Sequence, residues 1–252
     1  MSDKPPSATE IVFLPGFDGV AELRAAFVAA LAERHPARAV GYPNRKLDSL
    51  AGYTRFAAAQ VTPQARPVLV AESFSGLVAA RWAASDPHVA GVVLCGAFAR
   101  SPAPLAALGA SMPALAQFMV ANFMAPVGRA SSDPARRRWS EAFGAAVRSL
   151  KPEVIAERLA IISAEDVSAD LKRITVPIVL VQFDDDLVIG PSARAHLESV
   201  CERAKVVRVA GPHFAIETRP RESAAAIAAA VAPLFGSMPA RPSTTAPRRA
   251  GA

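Results

Sequence analysis

One stretch of the sequence gathers the features of an activated hydroxyl. Leu69-Val70-Ala71-Glu72-Ser73-Phe74-Ser75-Gly76-Leu77 reads as an apolar strand, one turn carrying Ser73, and a helix that starts at once. A strand–turn–helix is the context in which a G-x-S-x-G pattern presents a nucleophilic serine. So sharp a turn needs small residues two before and two after the serine, and Ala71 and Ser75 stand there in place of glycines. Gly76 then lets the helix pack close to the neighbouring strand. This turn would hold Ser73 Oγ up at the carboxyl end of a sheet. It would also aim the Phe74 N–H, at a helix N-terminus, toward any oxyanion formed there. The competing reading of Ser73 is a helix N-cap, a position serine favours.

A serine hydroxyl is a weak nucleophile without a base. Among the four histidines, His35 precedes Pro36, His88 sits in an Asp-Pro-His turn, and His196 lies mid-helix among Ala and Leu; all three read as surface or structural residues. His213 differs: it lies in Ala210-Gly211-Pro212-His213-Phe214, directly after a strand, where a doubly wound sheet places its site. An imidazole base needs an acid to fix its tautomer. Ile178-Val179-Leu180-Val181-Gln182-Phe183 runs into Asp184-Asp185-Asp186, again a loop at a strand's carboxyl end. These aspartates also admit a metal-site or solvated-turn reading, although no His or Glu ligand stands nearby. The strand at 91–95 ends without an acid and supplies none. Phe13-Leu14-Pro15-Gly16-Phe17-Asp18-Gly19 forms a Gly-containing loop after the first strand and can bring a second backbone N–H, that of Phe17, to face Phe74.

The elements that must position these groups follow from periodicity. Apolar runs at 11–14, 38–41, 68–71, 91–95, 178–183 and 205–209 read as strands. Helical patterns lie between them at 20–34, 47–61, 76–84, 191–203 and 219–235; the first repeats Val20, Leu23, Phe27 and Leu31. Strands apolar on both faces and separated by helices predict an α/β fold, with a mostly parallel sheet of about six strands covered on both sides. The expected division is an N-terminal arm at 1–9, a core at 10–97 and 176–236, a helical insertion at 98–175, and a disordered basic tail at 237–252. The insertion is interrupted by prolines and carries Met112, Phe118, Met119, Phe123 and Met124. These read either as helical core or as an adaptable apolar wall over a pocket.

Composition narrows the alternatives. The chain has 252 residues, 52% of them hydrophobic and 20% charged, ample for a sizeable core. The net charge of +6 invites a nucleic-acid reading, but Arg241, Arg248 and Arg249 fall in the tail, beyond the last acid, Glu222. No basic cluster is interleaved with aromatics, so no nucleic-acid partner is expected. No apolar run approaches the ~18 residues of a membrane helix, and the start Met1-Ser2-Asp3-Lys4-Pro5-Pro6 lacks the pattern of a signal peptide. A cytoplasmic location is therefore expected, without membrane insertion. Cys95 and Cys201 lack C-x-x-C partners and read as buried free thiols.

Over residues 10–235 the sequence resembles the α/β-hydrolase superfamily. LPGFDG stands where that family has its His-Gly oxyanion loop, and AESFSG where it has GHSMGG-like elbows. PIVLVQFDDDLVI is similar to the family's strand-plus-acid segment, and this alignment matches Asp186, not Asp184, to the triad acid. AGPHFAIETRP is similar to GxGHFxxxExP and matches His213 to the base. The order Ser…Asp…His is the family's own. LPG-x-DG together with AESFSG also resembles a group of small bacterial hydrolases described generically as esterases. The resemblance implies catalytic Ser73, Asp186 and His213, an oxyanion hole from the Phe17 and Phe74 N–H groups, and the insertion as a lid. The insertion's apolar content favours a small ester substrate with an aliphatic or aromatic acyl group, with Phe118, Met119, Phe123 and Phe214 as the expected pocket residues. No cofactor requirement is visible. A thioesterase, lactonase or C–C bond hydrolase would use the same triad, and a ligand-binding protein could use the same scaffold without turnover.

Overall fold

The computed structural model describes residues 9–102, 111–112, 114–115, 117–118, 120–121 and 132–235. Of the expected regions, the arm before Thr9 and the tail fall outside the described residues.

Six strands form one sheet in the order β2-β1-β3-β4-β5-β6. They are β1 (Thr9–Leu14), β2 (Ala37–Ala39), β3 (Arg66–Glu72), β4 (Gly91–Cys95), β5 (Ile178–Asp185) and β6 (Lys205–Pro212). Every adjacent pair is parallel. The reason lies in the side chains. Alternate residues of each central strand feed two separate cores. Val12, Leu14, Leu69, Ala71, Val92, Leu94 and Leu180 face one layer of helices. Ile11, Phe13, Val68, Val70, Val93, Val179 and Val181 face the other. A sheet buried on both faces must be crossed by helices, which is the parallel arrangement.

A 3₁₀ turn (Ala21–Arg24) and α1 (Ala25–Ala32) follow β1; α2 (Leu50–Ala58) precedes β3, and α3 (Ser75–Ser85) follows it. Between β4 and β5 lie α4 (Pro134–Ser149), α5 (Pro152–Ala164) and α6 (Ser168–Arg173). Next come α7 (Pro191–Val200), then α8 (Ala215–Thr218), α9 (Pro220–Val231) and a closing 3₁₀ turn after β6. The expected helices at 47–61 and 191–203 are shorter, Leu50–Ala58 and Pro191–Val200, and two others are broken. The pattern at 20–34 starts as 3₁₀, and the pattern at 219–235 ends as 3₁₀. The four-residue α8, unmarked by periodicity, fills the turn between β6 and α9. Among the described residues no helix is long and apolar enough to cross a membrane.

From β1 the chain steps outward to β2, then reverses across β1 to β3. Loops diverge at such a switch point and leave a crevice at the carboxyl ends of the strands. The loops carrying Phe17 and Ser73 border it.

Candidate active site

The elbow is built as its residue sizes demand. Ser73 has φ +50°, in the left-handed region that a non-glycine residue enters only when its surroundings enforce it. Its N–H donates to the Cys95 carbonyl (2.9 Å), and its carbonyl accepts from Gly76 N–H (2.9 Å). The helix α3 begins with no side-chain cap, so the N-cap reading of Ser73 does not hold. Gly76 fulfils its expected role, because a Cβ there would lie 2.6 Å from Ala97 Cβ, just beyond β4.

Ser73, His213 and Asp186 come from loops after three different strands and meet in one chain of contacts. His213 Nε2 lies 3.1 Å from Ser73 Oγ, and His213 Nδ1 lies 2.8 Å from Asp186 Oδ2. Asp186 Oδ1 accepts the N–H groups of Val188 (2.9 Å) and Ile189 (2.8 Å). The aspartate run therefore splits: Asp184 and Asp185 are exposed, while Asp186 and His213 are buried. A bulge between Phe183 and Asp185 accompanies this change of direction. Gly96 (φ +52°) gives the imidazole room, since a Cβ there would stand 3.0 Å from His213 Nδ1. The other histidines sit elsewhere: His35 stacks on Phe235, His88 contacts Asp86, and His196 contacts Ser168.

The loop after β1 is held peptide by peptide. Ser75 Oγ donates to the Pro15 carbonyl (2.5 Å), and Gly16 N–H donates to Glu72 Oε2 (3.3 Å). Gly19 N–H donates to the Gly16 carbonyl (3.1 Å), and Arg158 Nη1 donates to the Phe17 carbonyl (2.6 Å). Among the described residues, no acceptor takes the N–H of Phe17 or of Phe74.

Beneath the elbow lies a buried ionic cluster. Arg24 Nη1 is 2.7 Å from Asp18 Oδ1, its Nε is 2.9 Å from Glu72 Oε2, and its Nη2 is 2.8 Å from Glu217 Oε1. Burial disfavours the Arg24 cation, but these carboxylates overrule it and hold the guanidinium well above its ordinary value. Burial, reinforced by the Glu72 carboxylate, pushes Glu217 well above the usual carboxylate range, against the pull of Arg24. Neither Glu217 oxygen is satisfied by a well-aligned hydrogen bond, although Oε1 lies within 2.8 Å of Arg24 Nη2. The pattern of residues does not mark these four as a unit, although Asp18, Glu72 and Glu217 each lie in a segment quoted above, LPGFDG, AESFSG and AGPHFAIETRP.

Of the expected pocket residues, Phe214 stacks on Trp139 at 3.8 Å between ring centres and joins a small core with Phe17 and Phe143. Phe118 is exposed, and Met119 and Phe123 lie outside the described residues. Cys95 and Cys201 are both buried and unpaired.

Comparison with known proteins agrees with this architecture. The structure is similar to an enol-lactonase from Burkholderia xenovorans LB400, with TM-score 0.72 and 20% identity over 92% of each chain. It is also similar to a bromoperoxidase from Bacillus anthracis, with TM-score 0.72 and 17% identity over 88% of this chain and 91% of that one. An esterase, RhEst1 from Rhodococcus sp. ECU1013, aligns with TM-score 0.68 and 21% identity over 90% and 91%. At these identities the likeness is one of fold. No curated protein matches the chain by sequence. Residues 11–226 match the model of the Alpha/beta hydrolase family. That match takes in β1 from Ile11, the other five strands and all the loops just described, and the protein belongs to the alpha/beta hydrolase family.

Proposed function

We propose that the protein is a serine hydrolase that cleaves a carboxylic ester through an acyl-enzyme. The observation that carries this reading is the unbroken path from Ser73 Oγ through His213 to Asp186, at 3.1 and 2.8 Å, with the serine in a left-handed turn. Ser73 Oγ attacks the ester carbonyl as His213 Nε2 takes its proton. Asp186 holds His213 Nδ1–H and stabilises the imidazolium that forms. The N–H groups of Phe17 and Phe74 receive the oxyanion of the tetrahedral intermediate. His213 then gives its proton to the leaving alcohol, so that the C–O bond breaks and an acyl-Ser73 ester remains. A water, deprotonated by His213, hydrolyses that ester and restores the serine. The enol-lactonase and the esterase among the similar structures agree with an acyl–oxygen bond as the one broken.

Apolar character at Phe214, Phe17 and Trp139 beside the histidine favours an aliphatic or aromatic acyl group. In this reading the segment between β4 and β5 is the lid over the site. The test is labelling with a fluorophosphonate probe, mapped by mass spectrometry. Labelling at Ser73 that disappears in His213→Ala is the expected result. Folded protein that takes no label, or takes it elsewhere, overturns the assignment and favours a binding role for the scaffold.

A further inference from the structure

Ser75 occupies the position where the elbow pattern has glycine, and there it does more than fit. Its side chain is fully buried, with Oγ 2.6 Å from Tyr42 Oη and 2.5 Å from the Pro15 carbonyl oxygen. Directionality follows from chemistry. A carbonyl only accepts, so the single Ser75 proton goes to Pro15, and Tyr42 must donate its own proton to Ser75 Oγ. Burial pushes the Tyr42 phenol well up from its ordinary value, against the opposing effect of its bond to Ser75, and keeps it a donor. Tyr42 is itself fixed edge-on against the rings of Tyr53 and Phe74.

The two ends of this relay matter for the reaction. Pro15 lies two residues before Phe17, and Ser75 follows Phe74. We propose that Ser75 is a positioning residue: its hydroxyl, directed by Tyr42, ties the loop carrying the Phe17 N–H to the helix start carrying the Phe74 N–H and so sets the spacing of the oxyanion hole. The inference rests on the serine-hydrolase reading above. The loop's other side-chain anchors include Glu72 on the Gly16 N–H, Arg158 on the Phe17 carbonyl and Arg24 on Asp18. Among these, Ser75 is the one that lies on the helix start directly after Phe74. Its contribution appears where charge develops on the carbonyl oxygen, and hence in kcat rather than in ground-state binding.

The test uses p-nitrophenyl butyrate as substrate and butaneboronic acid as a mimic of the tetrahedral adduct. Ser75→Ala is expected to lower kcat about 10- to 100-fold, less than the about 10²–10³-fold cost of losing an oxyanion donor outright. KM should stay within about twofold, with the inhibition constant of the boronic acid rising in step with the loss of kcat. Tyr42→Phe should cost less alone and nothing further in the Ser75→Ala background, because it acts through Ser75. Ser75→Gly, read beside circular dichroism, covers the case in which Ser75→Ala does not fold. A kcat that is unchanged in Ser75→Ala, or one that falls while boronic acid binding is unaltered, overturns the positioning role. So does additivity of the two changes. Ser73→Ala run alongside separates the two ideas: turnover surviving there refutes the nucleophile itself, whereas a dead Ser73→Ala with a fully active Ser75→Ala refutes only the positioning.

Discussion

Replacing Asp186 by asparagine probes the site most sharply, because the structure dictates which way the amide must face. Asp186 Oδ1 accepts two backbone N–H groups, from Val188 and Ile189. An asparagine keeps those bonds only by placing its single carbonyl oxygen there. Its NH₂ must then meet His213 Nδ1, where Asp186 Oδ2 now stands at 2.8 Å. An NH₂ group can only donate, so Nδ1 becomes the acceptor and the imidazole proton moves to Nε2. Nε2 then points a proton at Ser73 Oγ and cannot take one from it. In a serine protease triad the same change costs about 10⁴ in kcat, or about 5.4 kcal/mol of barrier. Asp186→Asn is expected to lose activity on this scale against p-nitrophenyl butyrate, with the fold intact. Asp184 makes the internal control. Its carboxylate is 46% exposed and pairs loosely with Arg208 at 3.6 Å, and an exposed pair of this kind contributes only about 0–1 kcal/mol of stability. Asp184→Asn should leave kcat within about twofold. If Asp184→Asn is the more damaging change, or if Asp186→Asn keeps a tenth of the activity, the tautomer argument is wrong.

Two further outcomes follow from packing and charge. Glu217 binds its proton more tightly folded than unfolded, so the stability this supplies is complete below the ordinary glutamate range and is lost as pH rises toward the folded value. Glu217→Gln, which mimics the neutral acid, should therefore gain on the wild type as pH rises above the ordinary glutamate range, by up to about 1.4 kcal/mol per pH unit in urea unfolding; a difference that does not change with pH refutes the raised Glu217. Gly76→Ala would set a Cβ 2.6 Å from Ala97 Cβ and should destabilise by about 1–3 kcal/mol in thermal unfolding. The addition of Ala97→Gly should recover most of that loss.

Strand ends were most legible where a strand is buried on both faces and so has to be apolar throughout, as at Leu14 and Cys95. β5 and β6 run on to Asp185 and Pro212, beyond the apolar runs at 178–183 and 205–209, since β6 is an edge strand with exposed residues and its end carries no such mark. Singling out Asp186 as the partner of His213 needed the family resemblance, since three consecutive aspartates cannot be ranked without knowing where the bulge after Phe183 falls. Arg24 and Arg158 were missed for a different reason. Charged residues in helical patterns read as solvent-facing, yet both lie on the apolar stripe. Arg24 is three residues before Phe27, and Arg158 three after Ile155, both of which are buried. Only the fold reveals that acids and carbonyls from distant segments meet them. Gly96 carried a signal too: a glycine just after a strand marks a close approach, and here the approaching group is His213.

The Arg24 cluster addresses a problem that the sheet alone leaves open. Ser73 follows β3 and Phe17 follows β1, neighbours joined along a ladder from Thr9↔Arg66 to Leu14↔Ala71. His213 follows β6, which β4 and β5 separate from β3. A small change in twist across those strands would open the 3.1 Å contact between His213 and Ser73. Arg24 spans the interval. It holds Glu72, the residue before the serine; Asp18, the residue after Phe17; and Glu217, on the short helix that follows His213. An apolar residue of equal volume could fill the same space, and buried ion pairs are weak stabilisers beside such replacements. It could not orient three loops at once, because dispersion has no preferred direction, whereas a planar guanidinium presents its donors in a rigid fork. The cluster is therefore best understood as geometry held by charge, joining the segments that carry Ser73, Phe17 and His213.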